Sequence, residues 1–282
     1  MSSGRYIQTI LEHLRQHADL PPIIGRKGDA RTFREEKLAL KAEGYPVRKT
    51  RALVKKYMAG NLDRFTQALT ADCILVPVPS GSGKNLLTEV FAVELSKLTG
   101  ASLLSAGIIG KTHHYEAKNN LSILKRVNDP IGYHIDSKAF ASETHGKKVI
   151  IVDDLIGSGE SCVQLKRAIS RENVRVHGFA NLLTVENYYP TINDLTRFVG
   201  RFTSLGVVKD LEALTFAQKV FNTFGDFTRQ KMNRVEREIR NEATAIKFKE
   251  CITRADAQTR RHQNHIHYGH QQQILSRAAR AL

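Results

Sequence analysis

The chain has 282 residues, 41% hydrophobic and 25% charged, a composition that excludes general disorder and fits one large domain with additions. No apolar run approaches the roughly 20 residues that cross a bilayer, and the three cysteines (Cys73, Cys162, Cys251) are too scattered for a disulfide framework or a zinc ribbon. The first residues show no apolar leader with a small-residue cleavage site, so a cytoplasmic protein is expected.

Charge is unevenly placed. In all, 43 Lys+Arg face 28 Asp+Glu, a net +15, of which residues 1–70 carry +7, residues 71–224 only +2 and residues 225–282 +6. Positive charge of this size attracts polyanions, and nucleic acid is the commonest such partner. A solvated surface that serves solubility alone has the same composition.

In chain order, Ile7, Ile10, Leu11 and Leu14 predict an amphipathic helix over residues 4–17. Leu20-Pro21-Pro22 ends it, and Gly25–Asp29 reads as a polar connector. Helices follow at about Phe33–Glu43 and Val47–Met58, and Asn61 is placed to cap a short one to Leu69. From residue 72 the period changes. Cys73–Pro79 is a short apolar run of the kind that forms a strand buried on both faces. A Gly/Ser loop leads to a helix through Val90, Leu95 and Leu98 that closes at Gly100. Leu103–Ile109 is the next strand candidate, Lys111–Asn120 a polar loop, Leu121–Val127 helical and Ile131–Ile135 extended. Val149–Val152 is a second buried strand, 161–171 a helix and Val174–Val185 a further strand.

This alternation predicts an α/β fold with an open, mostly parallel sheet. Three parts follow: a basic helical segment over 1–70, a core over 71–189 and a basic helical extension over 190–282. In that extension Met232, Val235, Ile239, Ala243 and Ile246 form a helical seam, so self-association through a helix over 228–250 is one possible use.

The residues richest in chemistry are Val149-Ile-Ile-Val-Asp-Asp-Leu-Ile-Gly-Ser-Gly-Glu-Ser161. A buried strand delivers Asp153 and Asp154 at its end, and a Gly/Ser turn then opens a helix. Such a turn aims backbone N–H groups and the hydroxyls of Ser158 and Ser161 at one point, on the positive end of a helix dipole. That suits a phosphate monoester, while adjacent carboxylates suit ribose hydroxyls and a divalent cation. Open α/β sheets bind ligands at these strand ends.

The motif Asp-Asp-x-x-x-[Ser/Thr]-Gly-x-[Ser/Thr] resembles the 5-phosphoribosyl 1-pyrophosphate (PRPP) motif of type I phosphoribosyltransferases. Asn120–Tyr133 and Ile74–Pro79 are similar to stretches of the ComF group within that superfamily, and Tyr45–Met58 to the helix ahead of its first strand. The resemblance spans about residues 45–185 and implies the type I phosphoribosyltransferase fold. It implies an enzyme that transfers or releases the phosphoribosyl group of PRPP, or of a related ribose 5-phosphate nucleotide, with Mg2+. Asp153 and Asp154 would hold the ribose hydroxyls and meet Mg2+ through the substrate. Gly157, Ser158, Gly159, Glu160 and Ser161 would wrap the 5-phosphate. Ser80, Gly81, Ser82, Gly83 and Lys84 would receive the pyrophosphate. A loop over 111–126 would close the site, with Lys111, Lys118 or Arg126 neutralising the leaving pyrophosphate.

The chain departs from that pattern in places. Gly157 stands where hypoxanthine-type members carry an acidic base, Glu160 adds negative charge to the phosphate turn, and the zinc-ribbon cysteines often found ahead of ComF domains are absent. Altered or lost transferase activity is therefore an open alternative. So is a nucleic-acid-associated regulator or antiviral-defence effector of the retron type, whose pocket senses a ligand while basic flanks hold nucleic acid.

Weaker signals point elsewhere. Ser80–Asn85 approaches a phosphate-binding P-loop, but Val78 stands where the motif needs glycine and Asn85 where it needs Ser or Thr. His113 and His114 lie in the predicted loop, and His262, His265, His267 and His270 have no interleaved acidic or thiol ligand. Arg229, Arg234, Arg237 and Arg240 share their helix with Glu236, Glu238 and Glu242, which offer them i,i+4 partners as readily as nucleic acid would.

Overall fold

A computed structural model describes residues 22–80, 86–111, 132–157, 159–184, 192–209, 212, 215–216, 219–220 and 229–254. The expected helix over 4–17, the segment 121–127 and the C-terminal histidines lie outside the described residues. The described chain forms two compact units, one between residues 22 and 184 and one from 192 to 254.

The first unit is an α/β sheet domain. Its elements are β1 (Ile23–Lys27), α1 (Ala30–Ala42), α2 (Val47–Ala59), α3 (Leu62–Ala68), β2 (Cys73–Pro77), α4 (Leu87–Thr99) and β3 (Ser102–Leu103). Then come β4 (Ile109–Lys111), β5 (Tyr133–Ile135), α5 (Ser137–Thr144), β6 (Lys148–Ile156), α6 (Glu160–Arg171) and β7 (Val176–Thr184). Five strands form one sheet in the order β1-β7-β6-β2-β3, and every neighbouring pair is parallel. β4 and β5 make a separate antiparallel ribbon with Gly110 opposite His134.

β2 and β6 lie inside the sheet, which explains their apolar runs: Ile74, Leu75, Val76, Val149, Ile151 and Val152 are all buried. One side of the sheet is covered by α1–α4, whose Phe33, Leu40, Val54, Tyr57, Phe65 and Phe91 pack on Leu75, Ile150, Val152, Ala180 and Leu182. α6 packs against β5, β6 and β7 with Cys162, Val163, Leu165 and Ile169 buried. Local sequence sets the helix ends. Asp29 accepts the N–H groups of Arg31 (2.8 Å) and Thr32 (3.3 Å) at the start of α1, and Gly100, at φ 73°, closes α4 as its position predicts.

Several expectations are corrected. Gly25–Asp29 is not simply a connector, because Ile23–Lys27 is the edge strand β1, paired with β7. No boundary falls at residue 70: β1 completes the sheet and α1–α3 cover its face, so residues 22–69 belong to the same unit as the core. Leu103–Ile109 is not one strand but the end of β3 and the start of β4. Asn61 stands at the N-cap of α3 without capping it; its Nδ2 instead donates to the carbonyls of Tyr57 (3.0 Å) and Leu182 (3.1 Å).

The second unit is helical. α7 (Ile192–Ser204), α8 (Arg229–Glu238) and a helix over 242–254, here α9, enclose Phe198, Phe202, Val235, Ile239, Phe248 and Ile252. The rings of Phe202 and Phe248 lie 5.7 Å apart and those of Phe198 and Phe202 5.3 Å apart, contacts worth about 0.5–1.5 kcal/mol each beyond burial. Arg197 fastens α7 to α8, donating to Glu236 at 3.1 Å and to Asn233 at 3.0 Å.

The single helix expected over 228–250 is interrupted at 239–241. Asn241 restarts it, its Oδ1 accepting the Thr244 N–H at 3.0 Å. The break changes the buried face: Val235 and Ile239 are buried before it, Ala243 and Ile246 are exposed after it, and Ala245 and Phe248 take over. Val235, Ile239, Ala243 and Ile246 therefore do not share one helix face. No helix among the described residues is long and apolar enough to cross a membrane.

Candidate functional site

The order β1-β7-β6-β2-β3 contains a switch point. From β2 the chain goes outward to β3, and from β6 it goes the other way to β7, and open α/β sheets bind ligands outside the carboxyl ends of the strands at such a point, here β2 and β6. β2 ends where Pro77 pairs with Val152, and the Val78 N–H donates to the Val152 carbonyl at 2.8 Å. β6 continues to Ile156 alongside β7 alone. Asp153 and Asp154 begin this one-sided stretch, within the strand rather than after it, because β6 is longer than its apolar run.

Strand alternation sends the two carboxylates to opposite faces of the sheet. Asp153 faces α6: the Cys162 thiol donates to its Oδ2 at 3.6 Å, and the Asp154 N–H donates to its Oδ1 at 3.0 Å. Asp154 faces the α1–α4 layer, is buried, and forms an ion pair with the Lys37 ammonium from α1. Burial alone would lower the Lys37 pKa, but the charge and hydrogen bond of Asp154, with the charge of Asp153, hold it above the ordinary lysine value. Tyr45 is close enough to feel this pair. Burial raises its phenol above the usual range, and Lys37 and Asp154 act on it in opposite senses. Gly44 and Tyr45 both take left-handed backbone, φ 75° and 56°, at the end of α1. That turn is uncommon for a tyrosine and tucks its ring inside the fold, where it is buried.

After β6 the described part of the turn leads into α6. Gly159 occupies the N-cap of α6 in left-handed backbone, φ 67°, a conformation glycine adopts without the clash a Cβ would bring. Ser161 lies in the first turn of α6, and its carbonyl accepts the Tyr133 hydroxyl at 3.3 Å, joining β5 to the turn. Gly157 is half-buried beside it. Ser158 and the side chain of Glu160 lie outside the described residues. Ser80 is described just beyond β2, whereas Gly81, Ser82, Gly83 and Lys84 are not. Lys111 ends β4, and Lys118, Arg126, His113 and His114 fall outside the described residues.

Sequence reasoning missed Lys37 and Tyr45. A signal for Lys37 exists: it follows Phe33 by four residues and precedes Leu40 by three, so it sits on the buried stripe of α1. A lysine at such a position needs a buried partner. Among the described residues no three Asp, Glu, His or Cys side chains group closely enough to hold a metal ion. Comparison with protein-family models, curated proteins and solved structures found no match.

Proposed function

We propose that the sheet unit binds PRPP or a related ribose 5-phosphate nucleotide and transfers or releases its phosphoribosyl group. The observation that carries this reading is that Asp153 lies on β6 at the switch point of a parallel sheet, six residues ahead of the left-handed Gly159 that opens α6. In this reading Asp153 accepts from the ribose hydroxyls, and residues 157–161 receive the 5-phosphate at the helix dipole. Asp154 supports Asp153 through its backbone N–H and stays paired with Lys37. Residues 80–84 take the pyrophosphate, and Lys111, Lys118 or Arg126 offsets its charge as it leaves. Asp153 would hold a Mg2+ ion through its carboxylate, a hard oxygen donor of the kind this cation favours. Bound there, Mg2+ would neutralise the pyrophosphate.

Calorimetric titration of the full chain with PRPP and Mg2+ tests the reading. Asp153→Asn should weaken binding about tenfold or more, since a charged hydrogen-bond acceptor is lost, with an unchanged circular dichroism spectrum. Unaltered affinity in this variant overturns the site.

A second reading, nucleic-acid association, is favoured by the surface of α2. All its charged residues are basic (Arg48, Lys49, Arg51, Lys55, Lys56). Glu36, Glu43 and Glu94 pair with four of them, while Arg48 remains exposed. Binding through phosphates would fall steeply with salt, and binding that ignores salt would count against it.

A further inference from the structure

The β4–β5 ribbon turns one of its two sides to the start of α6. In an antiparallel pair, directly opposite residues project to the same side, and neighbours along each strand alternate. Ile109 pairs with Ile135 and Lys111 with Tyr133, so these four share a side, while Gly110 and His134 share the other. Burial separates the two sides. Ile109 is buried and Lys111, Tyr133 and Ile135 are half-buried, whereas His134 is exposed with its ring over Gly110. The inner side is the one that meets α6, because the Tyr133 hydroxyl donates to the Ser161 carbonyl at 3.3 Å. Register therefore sets Lys111 beside a side chain that reaches the first turn of α6, with opposite Cβ atoms about 4.5–5.5 Å apart. A phosphate monoester at that turn calls for a cation. It carries a charge of about −1.5 to −2 near neutral pH, against about half a positive charge from the helix N-terminus. Glu160, the first residue of α6, adds a formal negative charge to the same turn.

We propose that Lys111 is the cation of the 5-phosphate end of the ligand, where it sets the preference of the site for a 5-phosphorylated sugar, and does not serve the leaving pyrophosphate. The proposal rests on the sugar-phosphate reading above. It moves Lys111 to the opposite end of the ligand and leaves the pyrophosphate charge to Lys118 or Arg126.

The test is calorimetric titration of the full chain, in Mg2+, with ribose 5-phosphate and separately with PRPP. Both ligands carry the 5-phosphate, but only PRPP carries the pyrophosphate. Lys111→Gln, which keeps most of the stem and removes the charge, should lose about tenfold in affinity for both ligands, by the same factor within about twofold. Lys111→Arg, which restores the charge, should return both affinities to within about threefold of wild type. His134→Gln, on the outer side of the ribbon, should match wild type within about twofold. A loss in Lys111→Gln confined to PRPP would give the lysine to the pyrophosphate and overturn the proposal. No loss for either ligand would overturn it, as would an equal loss in His134→Gln, which would trace the effect to the ribbon's structure. PRPP binding without ribose 5-phosphate binding in the wild type would overturn it too, and in all these cases the sugar-phosphate reading would survive. Failure of both ligands to bind the wild type removes that reading and the proposal with it.

Discussion

Replacing Gly25 by alanine tests whether residues before 70 are built into the sheet. Gly25 lies in β1 where the register against β7 shifts between Ile24 and Arg26. An added Cβ would stand 2.6 Å from the Asn181 carbonyl oxygen and 2.7 Å from its Oδ1. Asn181 is fully buried and anchored by its Nδ2, which donates to Thr184 Oγ1 at 2.6 Å. The obstructing atom is backbone of the neighbouring strand, so side-chain rotation gives no relief. β1 itself is held by Arg64, whose Nη1 donates to the Gly25 carbonyl at 2.8 Å. Overpacking of this kind costs about 1–3 kcal/mol, and the rigid neighbour places Gly25→Ala toward the top of that range. Alanine's smaller unfolded-state entropy returns about 0.4–1 kcal/mol, for a net loss of about 2 kcal/mol. With a urea slope of about 2 kcal/mol per molar, the midpoint followed by circular dichroism should fall by about 1 M. Gly200→Ala is the control: it lies in α7, a Cβ there meets nothing within 4 Å, and it should stabilise the helical unit by about 0.5–1 kcal/mol. A Gly25→Ala protein within about 0.5 kcal/mol of wild type would refute the packing of β1 on β7.

Lys37→Met leaves Asp154 buried without its cation and should destabilise the sheet unit by about 3 kcal/mol, the low end for a broken buried pair because Lys37 is partly exposed. Wild-type stability of this variant in urea titrations would contradict the pairing. Asn241→Ala should cost the helical unit about 1 kcal/mol in thermal unfolding by removing the acceptor that restarts α9, and an unchanged transition would deny the cap its role. Hydrogen bonds from Thr70 and Lys148 hold the exposed Asp72 carboxyl at about 2. Its contribution is present above the ordinary value of 3.8 and is lost as pH falls from there toward 2. Asp72→Asn should flatten the stability profile in that window, and an unaltered profile in acid titrations would refute the pairing.

Sequence patterns revealed elements whose burial is written in their own residues. Cys73–Pro77 and Val149–Val152 carry unbroken apolar runs because both faces of an interior strand are covered, and α2 shows its stripe in Leu53, Val54, Tyr57 and Met58. β1 has no such mark. Ile23 and Ile24 precede Gly25, Arg26 and Lys27, and an edge strand with exposed Arg26 and Lys27 resembles a polar turn until β7 supplies its partner. The break at 239–241 was hidden for a similar reason: the helical spacing of apolar residues runs straight through it, and only the Asn241–Thr244 bond shows where a new helix begins. At the site, the acidic pair and Gly159 were legible as a motif. The split of Asp153 and Asp154 between faces depended on how far β6 extends, and Lys37 depended on a pairing 117 positions along the chain.

The parallel pairing of β1 with β7 also sets a timetable for synthesis. Residues 23–27 leave the ribosome about 150 residues before the strand that will hold them, an interval of about 10–30 s at ordinary elongation rates. During that time Phe33, Val54, Tyr57 and Phe65 lack the β7 surface on which they finally rest. Slow codons ahead of β7 should lengthen that exposure and lower the soluble yield.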